Sequence, residues 1–280
     1  MSSNVSTRNS LKPYQVISDL HLEKYRIWPT DVFQNIIPIA NVLILAGDIG
    51  TPNISSFHME QYMHFLQWCS ERWKEIILIA GNHEYYGCGK RRNITTDNLS
   101  ELSQKITNVH FLDRSTYENN GIMYVGTTLW TKIKIGHFKQ MNDSVHTFKN
   151  TQKERNLHIK EREFIEMTID QNSWSKNHTY ILKKFKMNKY IINIIKDYFE
   201  PQIIIVTHHA PAMEMIPEDI SLYADIPTAY ASKILKSLNS STRNRIKEWC
   251  CGHIHKCYNN ILYGVQITSN PIEDMDSDDL

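Results

Sequence analysis

Hydrophobic runs in this chain repeatedly end on side chains that carry oxygen or imidazole donors. Tyr14–Ser18 leads into Asp19, Leu20 and His21, Val42–Ala46 into Gly47 and Asp48, and Ile76–Ala80 into Gly81, Asn82, His83 and Glu84. The pattern returns after residue 200. Ile203–Val206 leads into Thr207, His208 and His209, and Trp249–Cys251 into Gly252, His253, Ile254 and His255. Short apolar runs bounded by turn residues predict buried β-strands. In open α/β sheets, ligands collect in the crevice outside the carboxyl ends of the strands, so these predicted strand ends are expected to face one point.

The local spacings carry a physical expectation. Asp19 and His21 are separated by one residue, so extended backbone places both donors on one side and turns Leu20 away; His253 and His255 repeat the pattern. Gly47, Gly81 and Gly252 each directly precede a donor, where the chain leaves a strand and a missing Cβ allows close packing. Taken singly, each of these residues reads as a turn, a cap or a satisfied core group. Taken together they do not, because burying several carboxylates and imidazoles at one place is costly unless a cation compensates them. A pair of divalent cations needs about seven or eight protein ligands. Asp19, His21, Asp48, Asn82, His208, His253 and His255 are the predicted set. Their mixed nitrogen and oxygen donors suit Mn, Fe or Zn, and also admit Co, Ni or Mg.

In chain order the motifs read Asp-x-His, Gly-Asp, Gly-Asn-His-Glu, His and Gly-His-x-His, and this order resembles that of the calcineurin-like metallophosphoesterases, from about Tyr14 to Pro271. Ile17–Glu23, Leu43–Gly50, Gly81–Tyr86, Thr128–Thr131, Met141–Asp143 and Val206–Pro211 resemble a widespread, uncharacterised subgroup of that family. The resemblance implies a four-layer αββα sandwich, with two facing mixed β-sheets and helices outside. It also implies a first metal held by Asp19, His21, Asp48 and His255, and a second held by Asp48, Asn82, His208 and His253, with Asp48 as the bridge. A water or hydroxide bridging the two metals would attack the phosphorus. His83 resembles the family histidine that stabilises the phosphate or protonates the leaving group.

Glu84 and His209 abut predicted ligands and are candidates for orienting them or touching substrate, as is Tyr86. Tyr85, Trp130, Tyr223 and Tyr230 are candidate pocket walls, with ordinary packing the more frequent fate of such residues. Ile254 stands where relatives often have Thr, which would remove a hydroxyl from the metals, and Cys251 departs from the usual residue before the last motif.

Composition changes this picture little. The 280 residues, 41% of them hydrophobic, fit one domain over residues 13–271, between a disordered N-terminus (1–12) and an acidic tail (272–280). Helical spacing between about residues 131 and 200, as at Phe164, Ile165 and Met167 and again at Ile181, Leu182 and Phe185, predicts a helical insertion. Its Lys183, Lys184, Lys186 and Lys189 read as a solvated face. A formal net charge of +1 argues against a dedicated nucleic-acid binder, so the expected partner is a small phosphate ester, with nucleotides among the candidates. No apolar run is long enough to span a membrane, and five cysteines without a disulfide pattern fit the cytoplasm. Two other readings stay open: a nuclease acting on nucleic-acid ends, and a non-catalytic scaffold for protein assembly, against which the intact ligand set argues. The oligomeric state is left open.

Overall fold

The apolar runs become strands whose two faces are both covered. The computed structural model describes residues 13–25, 36–89, 91–133, 142–148, 151–171, 201–218 and 227–272, with isolated positions at 184 and 188–191. The expectations for residues 1–12, for the acidic tail beyond 272, and for Ile181, Leu182, Lys183, Phe185, Lys186 and Tyr223 lie outside the described residues.

Four strands, β1 (Tyr14–Ile17), β2 (Val42–Ala46), β3 (Glu75–Ile79) and β4 (Val109–Phe111), form a sheet in that order. Each of its neighbouring pairs is parallel. The second sheet contains β5 (Ser115–Asn119), β6 (Ile122–Thr127), β7 (Gln202–Thr207), β8 (Ile246–Cys251), β9 (Tyr258–Leu262) and β10 (Val265–Ser269), ordered β5-β6-β7-β8-β10-β9. It is mixed: the outer pairs β5/β6 and β9/β10 are antiparallel, and the inner pairs are parallel. Two facing sheets were expected, both mixed; only the larger one is. Among the described residues the smaller has no antiparallel pair, whereas hairpins give the larger its antiparallel edges.

Alternation along the strands sorts side chains into three cores. Ile44, Ala46, Ile77 and Ile79 face Tyr124, Ile204, Val206 and Cys250 across the space between the sheets. Leu43, Leu45, Ile76 and Leu78 point the other way, onto helix α1 (Ser56–Ser70) and helix α2 (Arg92–Lys105). Ile203, Ile205, Trp249 and Cys251 form the outer core of the second sheet. Parallel strands buried on both faces read as unbroken apolar runs, which is why these segments stand out in the sequence. Helix α1 starts at Ser55, whose side chain accepts from the His58 amide. It buries Tyr62, Phe65, Leu66 and Cys69, spaced to form one stripe.

Within residues 131–200 the described residues include helices α3 (Asn142–His146) and α4 (Thr151–Gln171). Phe164, Ile165 and Ile169 of α4 pack on the second sheet, whereas Met167 remains exposed. No helix among the described residues is long and apolar enough to cross a membrane.

Candidate metal centre

The donors collect where β1, β2, β3, β7 and β8 end, and the backbone there is unusual. Asp19, His21, Asp48, His253 and His255 all have left-handed backbone, with φ between 47° and 68°. Non-glycine residues rarely adopt this region, and clusters of such residues mark functional sites. Asp19 and His21 therefore do not share a side through extended backbone, as their spacing suggested, and neither do His253 and His255. Each is aimed by a kink, while Leu20 and Ile254 are buried in the flanking cores. Ile254 thus points away from the donors, and its identity removes nothing from them.

Gly81 shows how tightly the loops meet. A Cβ there would lie 2.1 Å from Asp48 Oδ1 and 2.8 Å from His208 Cε1. Backbone bonds tie the loops together: Asp19 N donates to Gly47 O, His21 N to Asp48 O, and Gly252 N to His208 O.

One group contains Asp48, His208 and His253, whose ligand atoms all lie within 4.8 Å of one another. His208 Nδ1 is 2.9 Å from the Ala46 carbonyl oxygen, which can only accept, so Nδ1 carries the hydrogen. Its Nε2 faces Asn82 Oδ1 at 3.0 Å, Asp48 Oδ2 at 3.2 Å and His253 Nδ1 at 3.2 Å. Asn82 is oriented by its other end, where Nδ2 donates to Tyr86 Oη (3.1 Å) and Asp143 Oδ1 (3.2 Å). Tyr86 Oη donates in turn to Asp143 Oδ1 at 2.9 Å.

A second group contains Asp19, His21 and His255. Asp19 Oδ1 is 3.6 Å from His255 Nε2, and the Asp19 carboxylate accepts from the His253 amide. His21 Nε2 and His255 Nε2 lie 3.4 Å apart. A third grouping, His21, Asp48 and His83, joins the first two. His83 donates its backbone N–H to Asp48 Oδ1 (2.8 Å) and holds its Nε2 4.0 Å from Asp48 Oδ2.

This donor set fits cations. Two oxygens and a nitrogen converge on His208 Nε2 while the ring's other nitrogen donates to Ala46 O, and a single proton on Nε2 cannot satisfy all three. The electrostatics carry the same demand. Burial alone would raise Asp48, yet the imidazoles of His208, His83 and His21 hold it well below the carboxylate range. Burial alone would lower His208 and His83, yet the former is pushed up to about 10, mainly by Asp48, and the latter to about 9, by Asp48 and Glu23. His253 is driven well down by burial and by His209 and His208, which leaves it a neutral nitrogen donor.

The other predicted residues separate clearly. Glu84 is fully buried, and its carboxylate accepts from the amides of Asp48 (3.0 Å), Ile49 (2.8 Å) and Gly81 (2.7 Å) and from Tyr62 Oη. It clamps the β2 and β3 loops, with no oxygen turned to a substrate. His209 is buried, packs its ring 4.2 Å from that of His253, and is pushed down to about 3 by burial and by His208. Tyr85 and Trp130 are core residues, and the ring of Tyr230 packs 5.4 Å from that of His253. Two residues had no assigned role from sequence. Asp143, in α3, holds Asn82. Glu23, two positions after His21, places Oε1 3.1 Å from His21 Nδ1 and 2.7 Å from His83 Nδ1. Burial would raise Glu23, but the hydrogen bonds from His21 and His83 lower it to about 2.

Comparisons with known proteins bear on the family and the fold. The sequence profile of the calcineurin-like phosphoesterases matches residues 13–257. The chain is 27% identical over 283 residues to uncharacterized protein L509 of Acanthamoeba polyphaga mimivirus, covering 91% of this chain and 89% of that one. Its fold is similar to the crystal structure of phosphopantetheinyl hydrolase from Mycobacterium tuberculosis, with a TM-score of 0.60 at 14% identity, over 93% of this chain and 89% of that one.

Proposed function

The chain belongs to the calcineurin-like phosphoesterases, and on that premise we propose that it hydrolyses small phosphate esters, monoesters or diesters, at the Asp/His cluster. The observation that carries this reading is the convergence of lone-pair donors on His208 Nε2, with Asp48 shared between that group and the one containing His21. Asp19, His21, Asp48 and His255 would hold one divalent cation. Asp48, Asn82, His208 and His253 would hold the other. Such a pair supplies Lewis acidity, lowering the pKa of water and neutralising charge on phosphoryl oxygens.

The chain's own residues then have distinct tasks. Asp48 is anchored through Oδ1 by the His83 amide, so its other oxygen keeps a fixed direction between the two groups. Asp143 and Tyr86 stop the Asn82 amide from rotating, and the Ala46 carbonyl does the same for His208. His83 is about one-quarter exposed and His255 about half exposed, so the ester enters on their side. His83 Nε2 is the proton donor placed beside that entrance. Protonation of a departing alkoxide by a positioned group contributes typically about 10² to 10⁴ in rate.

The test is a metal-stripped preparation of the full chain, resupplied with Mn²⁺ or Zn²⁺ and assayed on paired mono- and diesters. Metal-dependent release of phosphate or of the alcohol is expected. Absence of turnover on both ester classes with either ion would overturn the proposal.

A further inference from the structure

We infer that Glu23 is a positioning residue that fixes the orientation and tautomer of two imidazoles at once, His21 and His83, and so links cation holding to departure of the leaving group. The chemical consequence rests on the phosphoesterase reading; the geometry does not. One oxygen of Glu23, Oε1, lies 3.1 Å from His21 Nδ1 and 2.7 Å from His83 Nδ1. A carboxylate oxygen only accepts, so both Nδ1 atoms carry hydrogens and both Nε2 atoms are turned into the cluster. His21 Nε2 then lies 3.4 Å from His255 Nε2, and His83 Nε2 lies 4.0 Å from Asp48 Oδ2.

The two rings also meet each other edge to face, with centroids 4.5 Å apart and planes at 71°. Neither can swing without disturbing the other. Glu23 is itself well fixed: its side chain is 16% exposed, and it sits on the 3-10 turn Leu22–Lys24, which is bonded to the β2 loop through Leu22 N and Ile49 O.

The contact with Glu23 decides which nitrogen of His83 can release a proton. Because Glu23 holds the hydrogen on His83 Nδ1, any hydrogen that His83 gives to the oxygen of the leaving alcohol, as the P–O bond breaks and that oxygen keeps the bonding electron pair, comes from Nε2. The ring is left neutral with its hydrogen on Nδ1, which is the tautomer that Glu23 accepts from. Glu23 therefore keeps the same bond before and after the transfer. For His21 the same tautomer leaves Nε2 as a lone-pair donor. Outer partners of this kind typically change metal affinity or activity by about 10- to 100-fold.

The experiment uses the full chain with Glu23→Ala and the near-isosteric Glu23→Gln, and has three readouts. In metal-free protein, imidazole 1H–15N spectra should show hydrogen-bonded Nδ1–H signals for His21 and His83. These signals should be lost in Glu23→Ala and shifted upfield in Glu23→Gln, because a neutral amide oxygen accepts more weakly. In metal-loaded protein, kcat on phenyl phosphate, whose leaving group needs a proton, should fall about 10- to 100-fold in Glu23→Ala. It should fall less on 4-nitrophenyl phosphate, with KM little changed. Mn²⁺ titration should show one of two ions bound more weakly. Unchanged Nδ1–H signals, or equal falls on both esters with metal binding intact, would overturn the inference. If the wild type cleaves neither ester, the phosphoesterase reading fails, and the spectra and the titration still decide the role of Glu23. If Glu23→Ala does not fold, Glu23→Gln decides it alone.

Discussion

The two donor groups that share this centre are built differently. Asp48, His208 and Asn82 are sealed from solvent at 1%, 0% and 5% exposure, each also held by a backbone or side-chain partner, and His253 beside them is partly buried. Asp19 and His21 are equally buried, but the third member of their group, the His255 side chain, is 51% exposed. In the closed group the donors are preorganised, so little freedom is lost when a cation binds. In the open group, His255 has solvent on one side and keeps more freedom to lose when a cation binds. The closed group is therefore expected to hold its ion tightly and the open one to exchange it.

Asp48 is the residue that erases this contrast, because it is grouped with His208 and His253 and also with His21 and His83. Asp48→Asn is expected to lower the content of both ions and to cost at least about 100-fold in kcat, a loss at the upper end of what outer partners of ligands show. Elemental analysis alongside kinetics checks it. Loss of a single ion would mean that Asp48 serves one group only.

His208→Ala and His255→Ala set the two sides against each other. Removing His208 empties a fully buried position and should cost about 2 to 5 kcal/mol of stability as well as one ion, by analogy with large-to-small core changes. Removing His255 should leave the melting temperature nearly unchanged and speed ion loss. Equal effects on melting would contradict the difference in preorganisation.

Gly81→Ala is expected to cost about 1 to 3 kcal/mol, the usual range for an overpacked site, because the new methyl meets Asp48 and His208. Denaturant unfolding of the metal-free protein would show it. An unchanged midpoint would mean that the loops part more easily than their contacts suggest.

A test away from the centre concerns Glu154 in α4, whose carboxylate is buried with neither oxygen hydrogen-bonded among the described residues. Burial, followed by the charge of Asp143, pushes it up to about 8. A carboxyl raised on folding contributes stability that is present in full below its unfolded value near 4.5 and is lost as pH rises through about 8. The slope for one proton is at most about 1.4 kcal/mol per pH unit. Glu154→Gln should therefore melt increasingly above the wild type between pH 5 and pH 8.5. A constant difference across that range would show that Glu154 does not titrate there.

Sequence made one part of this centre far more legible than the other. Asp19, Asp48, His208 and His253 stand at the ends of doubly buried strands, whose unbroken apolar runs mark both the strand and its end. The architecture of two facing sheets followed from the family resemblance, and the all-parallel character of the smaller sheet did not, because strand direction depends on pairing between distant segments. Spacing also suggested that Asp19 and His21 share a side of extended backbone, whereas left-handed kinks aim them. Sequence periodicity carries no sign of φ. The supporting carboxylates were least visible. Asp143 reaches Asn82 from a separate helix, and Glu84 ends a motif yet faces backbone amides. Glu23 had one available signal, its position two residues after His21, but nothing in that spacing shows that it touches His83.

The most direct measurement is calorimetric titration of the metal-stripped full chain with Mn²⁺, repeated on His208→Ala and His255→Ala. Two ions binding in separable steps are expected, the tighter step lost with His208 and the weaker with His255. A single ion, or two steps that both variants weaken equally, would contradict a centre made of one closed and one open group joined through Asp48.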